Sequence, residues 1–331
     1  MRKAVSKRID EALGCAEGEG LLFAPKTQRD MRACRERVEK GLLCEPFPRL
    51  FVRKEYWDGL KRQVQPYQIL RTLSRRYPNW VFSSYSAACI WGLAVSLELL
   101  CDVHRAVPVG SHAGRCGHVV KHPVGIDGAR VVMGTRVTSL EQTIVDCLLA
   151  APFDEGLAIA DSALRVGKMT RAALAAVLER LGRGRHGIEG ARRIAAYADN
   201  RAESGGESIA RAAIIRAGFA VPDLQTILPN VLDASRTFRV DGSWKLSDGR
   251  LIVFEFDGAE KYERFTGVSA RTPLHGAVRK MMRERQREAL LTAVCDAVIR
   301  FDYALVKRPG ELARLLNSYG IPRVQCDRHT G

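Results

Sequence analysis

The spacing of hydrophobic and polar residues along the first 60 positions predicts two helices and a strand pair. Apolar residues recur at helical spacing over residues 3–13 and predict a first helix. Thr27 is a suitable N-cap for a second helix through Val38, which Gly41 ends. Two short apolar segments within residues 42–52 then predict a β-hairpin. This order of elements is typical of a winged helix-turn-helix, whose second helix enters the major groove of DNA.

Basic side chains are concentrated on the second predicted helix and on the hairpin that follows it. Such side chains are suited to contact phosphates or base edges. The alternative is a solvated amphipathic helix, whose arginines are balanced by Glu36 and Glu39. The candidate nucleic-acid-binding residues of this segment are Arg29, Arg32, Arg35, Arg37, Lys40 and Arg49.

Helical and strand-like segments alternate between residues 63 and 200. Strands are predicted over 103–109, 119–124 and 129–133, and Ser139 is a predicted N-cap of a helix, with Gln142 as its capping-box partner. Within this part, the glycine- and arginine-rich stretch 182–187 could bind phosphate through backbone amides, or could simply be a turn. Its histidines have no metal-ligand spacing, so we interpret His104, His112, His118 and His122 as ordinary surface or loop residues. A small polar hinge at 201–206 precedes the last part of the chain. We therefore expect three domains, over residues 1–62, 63–200 and 201–331.

After the hinge, a helix over residues 207–219 is followed by three predicted strands. Side chains alternate between the faces of a strand, so the third strand (251–258) places Glu255 and Asp257 on one face beside apolar residues. Buried carboxylates are costly unless a positive charge lies nearby, and a divalent metal is a natural candidate. Mg²⁺ prefers such hard oxygen ligands.

Further acidic residues in the same segment extend this predicted site. Asp241, on the neighbouring strand, could be the third metal ligand beside Glu255 and Asp257. Glu207, from the preceding helix, could orient a metal-bound water for attack on a phosphodiester. The alternative for Asp241 is a strand-end residue, and for Glu255 an ion pair with Arg239.

Glu207, Asp241 and the run Glu255-Phe256-Asp257-Gly258 resemble the PD-(D/E)XK restriction-endonuclease superfamily, and more narrowly its very-short-patch-repair (Vsr) endonuclease-like family. The resemblance spans about residues 204–316. It implies a restriction-endonuclease-like α/β domain with a central mixed sheet and Mg²⁺-dependent DNA cleavage.

The chain departs from the superfamily pattern at one position. Asp257 stands where the superfamily usually has lysine. Either Lys261 reaches back to the scissile phosphate, or the domain has lost hydrolysis and only binds. The predicted catalytic set is therefore Glu207, Asp241, Glu255 and Lys261. Arg283 and Arg287, on a charged helix predicted over 278–291, are candidates for phosphate contact, with a solvated ion-paired face as the alternative.

Residues 1–200 resemble the AbiEi-type antitoxin family of type IV toxin–antitoxin systems. The resemblance rests on short stretches: Lys40-Gly41-Leu42, Arg49-Leu50-Phe51-Val52, Ser86-Ala87-Ala88 and the run from Val137 to Asp146. It implies a winged-helix repressor with a second, antitoxin-type α/β domain. A nucleotidyltransferase-type toxin encoded nearby is then a candidate partner.

Composition narrows the classes of function that fit this chain. The formal net charge of +15 favours a polyanionic partner, most simply DNA. The nine cysteines show no C-x-x-C spacing, and most lie in apolar stretches, so we expect buried, reduced thiols. A charged N-terminus and the lack of any apolar run near the ~20 residues of a membrane span predict a cytoplasmic protein without membrane contact.

We therefore expect an α+β multidomain protein with one of two functions. The first is a Mg²⁺-dependent DNA endonuclease guided by the winged helix, in a phage-defence or toxin–antitoxin context. The second is a non-catalytic repressor or antitoxin, whose nuclease-like domain only binds nucleic acid or a partner.

Overall fold

The computed structural model describes residues 2–233, 235–257 and 285–324, with the side chains of residues 2–5 left out. The chain divides into two compact units, each of which mixes helices and strands. Unit 1 comprises Met1–Ala150 and Ala172–Arg192, and unit 2 comprises Ala151–Arg171 and Arg193–Gly331. The mixed α/β, multidomain character expected from sequence is thus present. The division itself differs from the expected segments, because residues 151–171 belong with the C-terminal part.

Unit 1 begins with two helices and a hairpin: α1 (Arg2–Gly18), α2 (Gln28–Glu39), β1 (Leu43–Phe47) and β2 (Leu50–Arg53). The Thr27 hydroxyl accepts a hydrogen bond from the Asp30 N–H at 3.1 Å, so the predicted N-cap of α2 is confirmed. A small apolar cluster joins these elements and contains Ile9, Leu13, Met31, Cys34, Leu43 and Phe51. The order of elements agrees with the expected helix, helix and hairpin.

The rest of unit 1 is built on a six-stranded mixed sheet with the order β5-β6-β4-β3-β8-β7. Its strands are β3 (Val81–Phe82), β4 (Val103–Val107), β5 (Gly114–Cys116), β6 (Val119–Pro123), β7 (Arg130–Val132) and β8 (Thr135–Val137). The helices of this part are α3 (Lys54–Gly59), α4 (Val64–Arg76), α5 (Ser84–Trp91), α6 (Leu140–Ala150) and α8 (Arg171–Gly182). Helix α9 (Ile188–Tyr197) contains the point where the chain passes from unit 1 to unit 2.

Unit 2 contains a four-stranded mixed sheet with the order β12-β11-β10-β9, in which β11 and β12 are parallel. The strands are β9 (Asp223–Pro229), β10 (Thr237–Lys245), β11 (Leu251–Asp257) and β12 (Ala297–Asp302). Helices of this unit are α7 (Phe153–Val166), α10 (Gly205–Arg216), α11 (Tyr303–Val306) and α12 (Pro309–Ser318), and residues 285–291 are also helical.

Strand β11 lies inside this sheet and has different neighbours on its two faces. Ile252, Phe254 and Phe256 join one apolar cluster, which includes residues of α10 and α12. Val253 joins a second cluster with Leu291. The alternation of faces predicted for this strand is therefore confirmed, and Glu255 lies on the same side as Val253.

Helix α7 reaches unit 2 from an earlier part of the chain and packs against α10. The contact contains a buried ion pair, in which Nη2 of Arg211 donates to both carboxylate oxygens of Asp161 at 2.7 Å. Both side chains are almost fully buried, at 3% and 1% exposure. Arg211 also donates to the Tyr197 carbonyl at 2.7 Å. These bonds satisfy two charges that would otherwise be very costly to bury.

None of the helices in the described ranges is both long enough and apolar enough to cross a bilayer. The eight described cysteines are all unpaired, but only Cys34, Cys147 and Cys295 are buried. Cys15, Cys101 and Cys116 are exposed, so apolar surroundings in the sequence did not predict burial for every thiol.

Candidate functional site

Glu255 lies between two arginines in unit 2. The parallel register of β11 and β12 pairs Glu255 with Arg300, whose Nη2 is 2.9 Å from Glu255 Oε2. Arg287, from the helical segment 285–291, donates to Glu255 Oε1 and, at 2.8 Å, to the Arg239 carbonyl. Glu255 is only 8% exposed, so its charge needs such compensation. Two guanidinium groups therefore supply the positive charge that we expected from a metal.

Asp241 and Asp257 lie near Glu255 at the same end of the sheet. Gly242 pairs with Phe254 in antiparallel register, so the adjoining residues Asp241 and Glu255 follow as neighbours. Asp241 Oδ2 accepts a hydrogen bond from the Phe256 N–H at 2.7 Å. Asp257 is half-buried and stands opposite Asp302 in the β11–β12 register. Asp241 therefore lies beside β11, where its carboxylate accepts from backbone, and its role as a metal ligand stays a prediction.

Glu207 occupies the first turn of α10 and bonds to Ser204, the N-cap residue of that helix. Ser204 Oγ accepts from the Glu207 N–H at 3.1 Å, and the Ser204 hydroxyl donates to Glu207 Oε1 at 2.8 Å. Glu207 Oε2 accepts from the Glu203 N–H at 2.9 Å and from Gln225 Nε2 at 3.1 Å. Both carboxylate oxygens are therefore used to begin the helix and to hold it against β9.

These contacts bear on the predicted metal site. Within the described ranges, no three His, Cys, Asp or Glu side chains are placed to hold one ion. Both oxygens of Glu255 are occupied by arginines, so Glu255 would have to exchange these bonds before it could bind Mg²⁺. Mg²⁺ binding stays a prediction. Lys261 and Arg283 lie outside the described residues.

The arginines predicted on the second helix fall into two groups. Arg29, Arg32 and Arg35 are exposed on α2, and none of them has a hydrogen bond or an ion pair among the residues described. Arg37 is half-buried and donates from Nη1 to Asp10 Oδ1 and from Nη2 to Ser6 Oγ of α1, both at 2.7 Å. It therefore holds the two helices together.

Two further basic candidates flank this helix. Lys40, the C-cap residue of α2, is exposed. Arg49 is exposed in the turn between β1 and β2, where its φ of 66° is left-handed. Its backbone N–H donates to Glu45 Oε1 at 2.6 Å, which fixes the turn and leaves the guanidinium outside. These exposed basic residues belong to α2, its C-cap and the hairpin turn, and we call the set the α2 row: Arg29, Arg32, Arg35, Lys40 and Arg49.

Sequence reasoning missed a polar cluster in unit 1. His104 on β4 and His122 on β6 are half-buried, and His104 Nδ1 lies 2.9 Å from His122 Nε2. The interpretation of these two as ordinary surface or loop residues is therefore wrong. The available signal was that both fall in predicted strands, which become neighbours once β4 and β6 pair. They line a pocket together with Asp146 and Arg185.

The chain is thus a basic, mixed α/β protein of two units, one with an exposed arginine row and one with a glutamate held between arginines. No family model matches the chain. It is 33% identical over 264 residues to "Uncharacterized protein Rv2248" of Mycobacterium tuberculosis strain H37Rv, covering 78% of this chain and 88% of the relative. "Uncharacterized protein MT2308" of M. tuberculosis strain CDC 1551 matches with the same values. The chain therefore belongs to the family of this mycobacterial protein.

Among solved structures, the chain resembles that of the RV2827C protein from Mycobacterium tuberculosis. The sequences are 17% identical, and the match covers 61% of this chain and 72% of the other, with a TM-score of 0.29. A similarity of this size does not define a common fold.

Proposed function

We propose that this protein is a DNA-binding repressor or antitoxin, whose nuclease-like C-terminal region binds nucleic acid or a partner without hydrolysing DNA. The observation that carries the proposal is the α2 row. Three exposed arginines, none of them paired with a described residue, follow one another at i, i+3 spacing on α2, in a chain of net charge +15.

The geometry of the row suits phosphate contact. Arg29 and Arg35 are six residues apart, which is about 9 Å along a helix. That distance is far below the ~34 Å of one DNA turn, so the three side chains can serve one stretch of backbone. These guanidinium groups do not have to break a described salt bridge before they bind phosphate. The counterions released from DNA therefore contribute fully to the affinity.

The described contacts of Glu255 favour binding over hydrolysis. A carboxylate neutralised by two guanidinium groups would have to exchange charge-assisted hydrogen bonds before it could bind a cation. Glu207, the residue expected to orient water, is also occupied at both oxygens.

DNA binding is tested by removing three charges from the row. In fluorescence anisotropy with a labelled duplex, a triple Arg29→Ala, Arg32→Ala, Arg35→Ala variant should bind more weakly. The slope of log affinity against log salt concentration should decrease in magnitude by about 3, because each lost phosphate contact contributes about 0.9.

A matched control removes the same charge elsewhere in unit 1. Arg75, Arg115 and Arg192 each form an ion pair with a carboxylate, and their triple alanine variant should keep most of the affinity and the salt slope. Equal losses in both variants would mean that net charge alone attracts DNA, and an unchanged α2-row variant would refute the proposal.

A Mg²⁺-dependent endonuclease is the second candidate, favoured by the position of Asp241, Glu255 and Asp257 at one end of neighbouring strands. Incubating the same duplexes with Mg²⁺ and resolving products on a denaturing gel separates the two functions. We expect intact DNA. Cleavage that Asp241→Asn abolishes, with binding retained, would replace the binding-only proposal.

A further inference from the structure

Unit 1 contains a pocket of about 420 Å³ that the proposed function does not use. Elements distant in the chain contribute to it: the start of α5, strands β4 and β6, the end of α6 and the loop that follows α8. The pocket is lined by Ser84, Tyr85, His104, His122, Asp146, Leu149, Ala150, Arg185 and His186. Its volume is typical of sites for small organic ligands.

One oxygen of a buried carboxylate in this pocket has no hydrogen-bond partner among the described residues. Asp146 Oδ1 accepts from Gln142 Nε2 at 2.9 Å and from Arg185 Nη2 at 2.8 Å. Asp146 is only 7% exposed, and its Oδ2 accepts no hydrogen bond from any residue that the structure describes. An unsatisfied buried acceptor is costly, and a ligand with an N–H or O–H donor would remove that cost.

Flat aromatic groups form another wall of the pocket. The His104 and His122 rings are nearly parallel, with an interplanar angle of 19° and centroids 5.1 Å apart. Tyr85 meets the His104 ring edge-on at 5.2 Å. Burial and the neighbouring His122 lower the pKa of His104 to about 4, and burial also lowers the pKa of His122. Both imidazoles are therefore uncharged at neutral pH.

The charges in the pocket nearly cancel. The negative charge of Asp146 is paired with Arg185, and His104 and His122 add none. No third Cys, His or acidic side chain in the described ranges joins the two histidines in a metal-binding arrangement. A neutral ligand is therefore favoured over an ion.

The loop that carries Arg185 is held tightly against α6. Gly187 has a φ of +85°, and a Cβ placed on it would lie 2.0 Å from the Leu149 carbonyl oxygen. Only glycine allows the backbone to approach so closely. The glycine- and arginine-rich stretch is thus a structured wall of the pocket.

We propose that this pocket binds a neutral, flat heterocycle with an N–H donor, of the nucleobase class. The N–H donates to Asp146 Oδ2, the ring edge or face contacts the histidine pair, and Leu149 and Ala150 form the apolar side. This site is separate from the α2 row and does not depend on DNA binding.

Calorimetric titration of the full chain with adenosine, guanosine, cytidine and uridine tests the proposal. We expect one or more of them to bind with one-to-one stoichiometry. Asp146→Asn should weaken that binding at least tenfold, because an amide N–H would face the donor. Asp102→Asn is the matched control, since its carboxylate bonds to Arg115 in the same unit but does not line the pocket.

A second variant guards against loss of folding in Asp146→Asn. Ala150→Phe fills the pocket from an exposed position and leaves the Asp146 bonds in place, so it should abolish nucleoside binding at an unchanged melting temperature. The α2-row triple variant should bind nucleosides normally, which separates this site from DNA binding.

Three outcomes would overturn the proposal. The first is that none of the four nucleosides binds at millimolar concentration. The second is binding that persists in both pocket variants. The third is a stoichiometric transition-metal ion, found by elemental analysis and lost in a His104→Asn variant.

Discussion

Glu255 is a nearly buried carboxylate of unit 2 whose charge is neutralised by Arg287 and Arg300. The alternation of β11 correctly predicted that Glu255 shares a face with apolar Val253. It did not predict Arg287 and Arg300, because the first lies 32 positions away and the second becomes adjacent only when β11 and β12 pair. The sequence thus predicts a positive charge beside Glu255, but it does not predict that arginines provide that charge.

Asp146 shows the same limit. Asp146 ends the run that resembles the antitoxin family, and nothing in that run indicates that its side chain lines a pocket. Its burial and its unpaired oxygen depend on Arg185 and on the loop that follows α8.

The histidine pair predicts a pH-dependent stability of unit 1. Burial and the neighbouring His122 hold the pKa of His104 at about 4 in the folded protein, below its ordinary value of 6.5. Between these two pH values the unfolded chain binds more protons, so the free energy of unfolding rises with pH. The contribution is fully present above pH 6.5 and is lost as pH falls towards 4.

Urea unfolding at pH 7.5 and pH 5 measures this contribution. We expect the free energy of unfolding to fall by about 1 to 2 kcal/mol between the two, given partial exposure of the ring. His104→Asn should reduce that difference, whereas His112→Asn, at an exposed position, should not. An equal pH dependence in both variants would exclude His104 as its source.

Elements defined by local chemistry were predicted best. Thr27 caps α2 as expected, and the Ser139 hydroxyl accepts from the Gln142 N–H at 3.2 Å at the start of α6. The side chain of Gln142, however, donates to Asp146 instead of returning to Ser139. A cap needs only a few consecutive residues, so sequence suffices for it, whereas the direction of a longer side chain depends on the packed surroundings.

The loop at 182–187 provides a prediction at the scale of an element. Gly184 and Gly187 both have a positive φ, but only Gly187 meets the Leu149 backbone, while nothing lies within 4 Å of a Cβ on Gly184. Gly184→Ala should cost about 1 kcal/mol of stability from backbone strain alone.

Gly187→Ala should cost at least about 2 kcal/mol more, because the backbone must move to relieve the overlap. Thermal or chemical unfolding of the two variants measures the difference. Equal destabilisation would show that the loop can separate from α6 at little cost.

At the scale of the whole molecule, the division into units does not follow chain order. Helix α7 lies before residue 171, yet it packs in unit 2 against α10, with Asp161 and Arg211 buried between them. The hinge expected at residues 201–206 is therefore not the boundary between the two units, because α7 precedes it and belongs to unit 2.

Two fragments test this arrangement. A fragment of residues 201–331 leaves Arg211 without Asp161 and exposes the apolar residues of α10 that face α7, so we expect it to unfold at lower denaturant concentration than residues 151–331. Removing one partner of a buried ion pair typically costs about 3–5 kcal/mol. Equal midpoints would mean that α7 is not part of the folded unit.

The sequence by itself determined the mixed α/β character, the order of most elements, the caps and the two-faced pattern of β11. These depend on residues within one helix turn or one strand, whose physical preferences are local. Only the tertiary structure decided which polar side chains meet: Glu255 with two arginines, Asp146 with Arg185, and His104 with His122. Such contacts join residues between 18 and 45 positions apart, and no local pattern specifies them, because burial and strand pairing arise only when the whole unit packs.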